Sequence, residues 1–299
     1  MKCEIMIYRE IQNIGFIGLG VMGSPMCKNL IKNKNWNILV HDLDKVKEKD
    51  LQNQGASIAK NQEEVFNNSD MVITCLPGGD FVRDLYFGDK QLVSKLASKK
   101  LIVDMSTSQP DLMIELNKHI ISKGSYFADA PIARTRQAAK DGTLAIMVGS
   151  DKIVYEKILP VLEYMGKDIM YCGHVGTGQM TKILNNMILF ETVVALSEAA
   201  NIAEKYDINV KDLFKNISKC SGDSFALRNH GLKSIAEDYY PTPAFSSEYA
   251  LKDLSYALDL GKTHKLNLPG ANSAKKLLEA SIKNGDKDLY FPVIKKHLS

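Results

Sequence analysis

The hydrophobic pattern divides the chain into two parts with different periods. From Asn13 to about Gly173, short apolar runs of strand length alternate with amphipathic segments. The strand-like runs are NIGFIGL, NILVHD, MVITCLP, KLIVDMS, YFADAP, LAIMVG and IMYCG. Between them lie the helical patterns GSPMCKNLIKN, QPDLMIELNKHIISKG and KIVYEKILPVLEYMG. Strands that alternate with helices predict βαβ units and a mostly parallel, doubly wound α/β sheet covered on both faces.

After GHVGTG the period becomes helical throughout. One long stretch from Thr177 to about Tyr206 is apolar on nearly every side at its centre, as expected for a helix in a core or at a subunit interface. The remainder has helical patterns broken at SGDS, YYPTPAF and NLPG. We therefore expect an α/β domain over residues 1–173 and an all-helical domain over residues 174–299. The first dozen residues are expected to form an appendage outside the sheet.

Composition and charge exclude several classes of function. The 299 residues are 45% hydrophobic and 24% charged, which is typical of a globular protein with a sizeable core. The net charge of +3 is spread along the chain, whereas nucleic-acid or membrane binding needs a clustered basic face. We expect neither partner.

Cysteine usage and the N-terminus indicate a cytoplasmic protein. The five cysteines, Cys3, Cys27, Cys75, Cys172 and Cys220, are far apart and have no metal-ligand spacing, so reduced thiols and no metal site are expected. The stretch MKCEIMIYREIQ is too short and too charged for a signal peptide. The most apolar run, MILFETVVAL, is interrupted by Glu191 and is expected to be a buried helix.

The first strand leads into a glycine-rich turn. GFIGLGVMGSPM places Gly18, Gly20 and Gly23 in G-x-G-x-x-G spacing at the start of a helical segment. Glycines at these positions permit a tight turn, close approach of a pyrophosphate and close packing of helix on strand. This context predicts a Rossmann dinucleotide-binding fold, with a cofactor-binding segment made of Gly18, Leu19, Gly20, Val21, Met22 and Gly23.

An acidic residue follows the second strand. Asp42 ends the run NILVHD, about 24 residues after Gly18, where an acid hydrogen-bonds the ribose hydroxyls of NAD. Its charge repels the extra phosphate of NADP, and no arginine follows it. NAD is therefore favoured over NADP, although Lys45 and Lys47 lie nearby.

The start of the long helix carries candidate catalytic chemistry. In GTGQMTKILNN, Lys182 and Asn186 are four residues apart and share a helix face. Gly178 lies one turn earlier and is expected to leave room for a ligand beside the lysine. Desolvation lowers the pKa of a lysine and suits it to proton transfer near neutral pH.

Together these motifs resemble the β-hydroxyacid dehydrogenase family, which includes 3-hydroxyisobutyrate dehydrogenase. GFIGLGVMGSPMCKNL is similar to the family's cofactor signature, and ITCLP and VDMSTSQP resemble the loops that border the cofactor. DAPIARTRQAAKDGTLAIMVG falls on the substrate signature, GTGQMTKILNN on the catalytic signature, and KDLSYAL on a later cofactor-contacting segment. The resemblance covers nearly the whole chain after the first dozen residues.

The resemblance implies roles for single residues. Lys182 would be the general acid/base and Asn186 would bind substrate. The residues implied to contact the cofactor outside the glycine turn are Leu76, Pro77, Thr107 and Lys252. The related 6-phosphogluconate dehydrogenases carry a histidine directly before the matching asparagine, where this chain has Asn185, so sugar-phosphate decarboxylation is disfavoured.

The substrate signature departs from that of the 3-hydroxyisobutyrate branch, where Ser-Gly-Gly usually follows D-A-P-V. This chain has Ala133, Arg134 and Thr135 there, a loop expected to bind substrate. A guanidinium matches an anionic head group bidentately, so Arg134 is expected to select the substrate's anion. The Arg-Thr pair is similar to that of sulfolactaldehyde reductases, although Ala133 and the additional Arg136 keep the match incomplete.

These observations predict an NAD-dependent oxidoreductase that interconverts a small anionic 3-hydroxy acid and its semialdehyde, and that forms a homo-oligomer. Sulfolactaldehyde reductase and glyoxylate or succinic semialdehyde reductase are the enzymatic alternatives. A non-catalytic cofactor-binding interaction module is the alternative from another class, and the presence of Lys182 argues against it.

Overall fold

Short runs of buried aliphatic residues form one mixed sheet in the computed structural model, which describes residues 10–89 and 91–298. The strands of this described part are β1 (Asn13–Ile17), β2 (Asn37–His41), β3 (Ser57–Ile58), β4 (Met71–Thr74), β5 (Leu101–Asp104), β6 (Tyr126–Asp129), β7 (Ile132–Ala133), β8 (Leu144–Gly149) and β9 (Gly166–Gly173). Their order is β3-β2-β1-β4-β5-β6-β8-β7, with β9 beside β8.

The sheet is mostly parallel, as the sequence predicts. Strands β1 to β6 pair in parallel, whereas β8 is antiparallel to β6 and β7 and parallel to β9. Each predicted strand run contains a strand. The two-residue strands β3 and β7 were not predicted, because two residues are too few to show a period.

Helices cover both faces of this sheet. They are α1 (Gly23–Ile31), α2 (Lys45–Gln52), α3 (Gln62–Asn68), α4 (Gly79–Phe87), α5 (Leu92–Lys95), α6 (Pro110–Ser122), α7 (Arg136–Asp141) and α8 (Lys152–Leu162). One buried cluster includes Met26, Ala139 and Ile158 from α1, α7 and α8. A second cluster includes Val82 and Leu116 from α4 and α6. Two cores on opposite faces confirm the doubly wound fold.

The rest of the chain is helical, which confirms the second part of the fold prediction. It contains α9 (Thr177–Lys205), α10 (Val210–Ile217), a π-helix (Leu227–Ile235), α11 (Ser247–Thr263), α12 (Pro269–Lys283) and a 3-10 helix (Phe291–His297). Their core is built on large buried side chains such as Phe190, Leu254 and Leu278. Among the described residues, α9 alone is long and apolar enough to cross a membrane by length and composition, and the core helix of a soluble protein meets the same criteria.

The chain forms two compact units, divided inside α9 between Lys182 and Ile183. The α/β unit thus includes the first turns of the long helix, and the helical unit begins within it. The predicted domain boundary after residue 173 remains a prediction about where the independent domains end.

The N-terminal prediction needs one correction. Strand β1 begins at Asn13 as expected, but Ile11 is buried in the same core cluster as the sheet, because its side chain is apolar and lies only two residues before the strand. Residues 1–9, which include Cys3, lie outside the described residues. The four described cysteines are free thiols.

Candidate cofactor and catalytic site

The turn after β1 has the shape that a dinucleotide requires. Gly18 has a φ of +95°, and a Cβ there would lie 2.3 Å from the Cys75 carbonyl oxygen. A Cβ on Gly23 would lie 1.9 Å from the Gly18 carbonyl oxygen. A Cβ on Gly20 would meet nothing within 4 Å. Two glycines are therefore needed by the turn itself, whereas Gly20 leaves open space above the loop.

Helix α1 begins at this open space without a side-chain cap. Its N-cap residue, Met22, makes no side-chain cap hydrogen bond, and its first turn contains no acidic residue. The first N–H groups of a helix attract phosphate when no side chain neutralises them. The segment from Gly18 to Gly23, including Leu19, Val21 and Met22, thus fits the pyrophosphate of a dinucleotide.

The carboxylate of Asp42 lies against this turn. Its Oδ2 accepts a hydrogen bond from the Leu19 amide at 2.5 Å, and its Oδ1 accepts one from the Asp44 amide at 2.8 Å. The Gly18 amide donates to the His41 carbonyl oxygen at 3.1 Å. The end of β2 therefore fixes the glycine turn and places an acidic group where ribose hydroxyls are bound in this fold.

The two lysines near Asp42 are paired with carboxylates of their own segment. Lys45 Nζ lies 3.0 Å from Glu48 Oε1, and Lys47 Nζ lies 3.4 Å from Asp44 Oδ2. Both contacts lower the positive charge that these lysines offer to a neighbouring phosphate.

A buried aspartate connects the two loops that were predicted to border the cofactor. Asp104 Oδ1 accepts hydrogen bonds from the hydroxyls of Thr74 and Ser106, each at 2.7 Å. Ser106 Oγ in turn accepts one from the Leu76 amide at 2.9 Å. Burial raises the pKa of Asp104 to about 6, against the lowering effect of its hydroxyl partners. The loop carrying Leu76 and the exposed Pro77 is thereby held beside the loop carrying Thr107.

Gln179, in the first turn of α9, fixes the conformation around Thr107. Its Nε2 donates to the Ser106 carbonyl oxygen at 2.7 Å, and its Oε1 accepts from the Ser108 amide at 3.0 Å. Gln179 is fully buried, whereas Thr107 between its two partners is partly exposed. The amide therefore presents Thr107 outward and ties its loop to the helix that carries Lys182.

Asp129, at the end of β6, anchors the start of the same helix. Its two carboxylate oxygens accept hydrogen bonds from the amides of Gly176 and Gln179, each at 2.7 Å. Burial raises the pKa of Asp129 to about 7, although both backbone hydrogen bonds act to lower it. The carboxylate caps α9 from a strand that precedes it by nearly fifty residues.

The prediction for Gly178 is wrong. A Cβ there would lie 2.4 Å from the Met147 carbonyl oxygen and 2.7 Å from Asp129 Oδ2. Gly178 is therefore needed because the helix packs closely on β8 and on the anchoring carboxylate. It does not leave room for a ligand.

Lys182 and Asn186 lie one turn apart on α9, and both are buried. Lys182 is 9% exposed and Asn186 is 2% exposed. Within the helical unit, Asn186 Nδ2 donates to Asp253 Oδ2 at 2.8 Å, and Asn185 Nδ2 donates to Asn186 Oδ1 at 3.1 Å. These bonds fix the orientation of the Asn186 amide.

Lys252, the remaining predicted cofactor contact, belongs to the same cluster of the helical unit. Its Nζ lies 3.0 Å from Asp253 Oδ1 and within 6 Å of the ring centroids of Tyr249 and Tyr256. The buried Asp253 thus contacts both Asn186 and Lys252.

The predicted substrate loop lies between β7 and α7 of the α/β unit. Ala133 ends β7, and Thr135 caps α7 by accepting the Ala138 amide at 3.3 Å. Arg134 has a φ of +88°. Its Nη1 donates to the Thr143 carbonyl oxygen at 2.7 Å, and its Nη2 is paired with Asp168. An anion would therefore compete with Asp168 for this guanidinium.

Sequence reasoning missed Asp104, Asp129, Gln179 and Asp253. Asp129 and Gln179 stand inside the motifs DAP and GTGQMTK, but their spacing does not show that the Asp129 carboxylate accepts the Gln179 amide or that the Gln179 side chain bonds the Ser106–Ser108 backbone. Asp253 follows Lys252 directly, and only the fold brings it to Asn186. Across the described ranges, no group of three or more His, Cys, Asp or Glu side chains is arranged to hold a metal ion.

Comparison with known proteins agrees with this geometry. Residues 13–176 match the family model described as the NAD binding domain of 6-phosphogluconate dehydrogenase. Residues 176–294 match the model described as NAD-binding of NADP-dependent 3-hydroxyisobutyrate dehydrogenase.

Individual relatives cover almost the whole chain. The chain is 35% identical to 2-(hydroxymethyl)glutarate dehydrogenase of Eubacterium barkeri over 89% of its length and 88% of that protein. It is 32% identical to mitochondrial 3-hydroxyisobutyrate dehydrogenase of Drosophila melanogaster over 95% of its length and 90% of that protein. The solved structure of Mycobacterium tuberculosis 3-hydroxyisobutyrate dehydrogenase with L-serine superposes with a TM-score of 0.88 at 29% identity, covering 97% of this chain and 99% of that one.

The glycine turn, the uncapped start of α1 and the Asp42 carboxylate fit a nicotinamide dinucleotide, and the relatives are dehydrogenases of hydroxy acids. The protein is an NAD(P)-dependent oxidoreductase acting on CH–OH groups, and the chain belongs to the β-hydroxyacid dehydrogenase family.

Proposed function

We propose that this protein is an NAD-dependent dehydrogenase that interconverts a small anionic 3-hydroxy acid and its semialdehyde, with Lys182 as the general acid/base. The observation that carries the proposal is the setting of Lys182. It is buried on a helix whose first turn is bonded to the Thr107 loop by Gln179 and to β6 by Asp129. A lysine held in this way can be positioned accurately for proton transfer.

The chemistry assigned to the residues is simple. The nicotinamide, when bound, supplies the hydride for aldehyde reduction or accepts it in alcohol oxidation. In reduction, Lys182 Nζ donates a proton to the carbonyl oxygen as negative charge develops there, and its own charge stabilises that oxygen. In oxidation, the uncharged Lys182 amine takes the proton of the substrate hydroxyl.

Substrate contacts are proposed for Asn186 and for the loop of Ala133, Arg134 and Thr135. Asn186 has a fixed amide because Asp253 and Asn185 bond it. A fixed polar group orients a hydroxy acid at little entropic cost. The substrates named for the relatives, 3-hydroxyisobutyrate and 2-(hydroxymethyl)glutarate, are 3-hydroxy acids, which supports this substrate class.

The preference for NAD over NADP is also proposed. Asp42 faces the glycine turn, while Lys45 and Lys47 are paired with Glu48 and Asp44. An uncompensated carboxylate disfavours the 2′-phosphate of NADP and can bond the ribose hydroxyls of NAD. Contacts with Leu76, Pro77, Thr107 and Lys252 complete the proposed cofactor site.

The test measures the reduction of a panel of aldehydes, and the oxidation of NADH reports the rate. Methylmalonate semialdehyde, 2-formylglutarate, sulfolactaldehyde, glyoxylate and succinic semialdehyde are compared by kcat/KM. The proposal expects one of the first two to be preferred. Preference for sulfolactaldehyde would assign the protein to that branch. Tight NADH binding without turnover of any aldehyde would favour the non-catalytic interaction module.

Homo-oligomer formation and a cytoplasmic location belong to the same proposal. Leu184, Ile188 and Ile202 are 41%, 61% and 61% exposed along one side of α9, which supports a contact between copies. Light scattering of the wild type and Ile188→Glu tests the oligomer, which the variant is expected to weaken. Free thiols at all four described cysteines support the location.

A further inference from the structure

We infer that Arg136, rather than Arg134, is the cation that binds the anionic group of the substrate, a carboxylate or a sulfonate. The inference rests on the proposed function and adds its specificity-determining residue. It follows from how the two arginines of the substrate signature differ in their partners and in their burial.

Arg134 is already neutralised. Its guanidinium is paired with Asp168 and donates to the Thr143 carbonyl oxygen, so two separate groups already occupy its fork of donors. A substrate carboxylate that bound here would have to displace the Asp168 carboxylate, which gives no net gain of ion pairs. The side chain instead braces the loop against β9, and this offsets part of the strain of a φ of +88° at a non-glycine residue.

The Arg136 side chain is more buried than that of Arg134 and has fewer hydrogen-bond and ion-pair partners. It begins α7 and is partly buried, whereas Arg134 is exposed. Among residues 10–89 and 91–298, no carboxylate or carbonyl oxygen pairs with its guanidinium. Desolvation lowers the pKa of Arg136, and no neighbouring acid raises it.

A guanidinium that is partly removed from water and lacks a counter-ion can bind an anionic ligand without first losing another partner. Proteins normally pair such a charge, because the lost hydration is otherwise not recovered. The nearest acid on α7, Asp141, is engaged by the Gln137 amide. Asp168 is paired with Arg134.

Thr135 supplies a second donor beside Arg136. Its Oγ1 accepts the Ala138 amide at 3.3 Å, which leaves the hydroxyl proton to donate to another group. A hydroxyl and a planar guanidinium on adjacent residues can share one carboxylate or sulfonate. The anion is therefore bound by Arg136 with Thr135 as the second donor.

The experiment compares an anionic aldehyde with its neutral isostere. Methylmalonate semialdehyde and isobutyraldehyde differ only in having a carboxylate or a methyl group. The anion preference is the ratio of their kcat/KM values with NADH. It is measured for the wild type, Arg136→Ala, Arg136→Gln, Arg134→Ala and Asp168→Asn, with Lys140→Ala as a matched control that removes an exposed cation from the same helix.

We expect Arg136→Ala and Arg136→Gln to lower the anion preference by about tenfold to a hundredfold, the value of a hydrogen bond to a charged group. Their kcat/KM for isobutyraldehyde should change much less than their kcat/KM for methylmalonate semialdehyde. Asp168→Asn and Lys140→Ala should each keep the preference within about twofold, and Arg134→Ala should lower it less than either Arg136 variant. Sulfolactaldehyde, assayed in the same variants, distinguishes a sulfonate from a carboxylate substrate.

Two results would overturn the inference. One is an anion preference that survives in both Arg136 variants. The other is a preference that collapses in Arg134→Ala and rises in Asp168→Asn, which would make Arg134 the anion-binding residue. If the wild type reduces no aldehyde, the proposed function fails, and binding of 3-hydroxyisobutyrate to the NAD complex, measured by calorimetry, still decides whether Arg136 holds an anion.

Discussion

At the scale of single residues, the glycines of the cofactor turn serve different purposes. Gly18 is fixed by its φ of +95° and by the Cys75 carbonyl oxygen, whereas Gly20 faces open space. A methyl group therefore has different consequences at the two positions. At Gly18 it disturbs the fold, and at Gly20 it takes up space needed by the ligand.

We expect Gly20→Ala to leave Tm unchanged but to raise the Kd for NADH, because the methyl group fills the space above the turn. Gly18→Ala should lower Tm by on the order of 5 °C or more, since the residue is strained and its Cβ overlaps a carbonyl oxygen. Calorimetry with and without NADH measures both effects. Equal loss of Tm in the two variants would contradict this division of roles.

Asp42 determines the choice of cofactor in this account. Asp42→Asn should lower the ratio of kcat/KM for NADH over NADPH by about tenfold or more, because the repulsion of the 2′-phosphate disappears. Asp50→Asn is the matched control, since it removes an exposed carboxylate of α2 that is paired with Lys28. A cofactor ratio that is the same in Asp42→Asn and the wild type would refute the assignment.

Asp42 and Lys182 are candidates from the sequence alone, because Asp42 ends a strand run and Lys182 lies in an otherwise apolar helix. The sequence could not predict the partners of Arg134, since Asp168 lies 34 residues further along and meets it only through the pairing of β8 with β9. For the same reason the sequence does not show that Arg134 has an acidic partner while Arg136 has none among the described residues. Partners depend on tertiary contacts that local spacing does not contain.

At the scale of elements, buried contacts from several directions hold the start of α9. Asp129 and Gln179 bond it to β6 and to the Thr107 loop, and Gly178 lets it approach β8. Strands and the long helix were predicted from their periods. These bonds were not, because a buried acid or amide looks the same as an exposed one in a single sequence.

The Asp129 anchor makes a prediction about pH. The folded-state pKa of about 7 lies above the ordinary value of 3.8, so folding favours the protonated carboxyl. Its contribution to stability is fully present below about pH 4 and is lost as pH rises through 7, by at most about 1.4 kcal/mol per pH unit. The free energy of unfolding of the wild type minus that of Asp129→Asn should therefore fall from pH 4 to pH 7.

Denaturant titrations at several pH values measure this difference. Asp104, whose pKa is also raised, is present in both proteins, and its charge adds a smaller part to the raised pKa of Asp129. Asp111→Asn, a change at an exposed acid of α6, is the control and should show no such trend. If this difference in the free energy of unfolding stays constant or grows with pH, burial does not destabilise the ionised form of Asp129.

At the scale of the whole molecule, one helix belongs to both compact units. The α/β unit contains the glycine turn, Asp42, the Thr107 loop and Lys182, and the helical unit contains Asn186, Asp253 and Lys252. The change of hydrophobic period near Gly173 predicted this organisation. The hydrophobic pattern could not predict where the two units divide inside α9, because the helix is continuous across the division.

Turnover and NADH binding of Lys182→Ala decide whether this lysine is the general acid/base, with Lys205→Ala at the other end of the same helix as the control. We predict that Lys182→Ala lowers kcat by about 100-fold to 10,000-fold, the usual contribution of a general acid/base, while the Kd for NADH stays within about twofold of the wild type. Lys205→Ala should behave like the wild type. Activity of Lys182→Ala within a few-fold of the wild type would contradict the assignment of the lysine and with it the proposed mechanism.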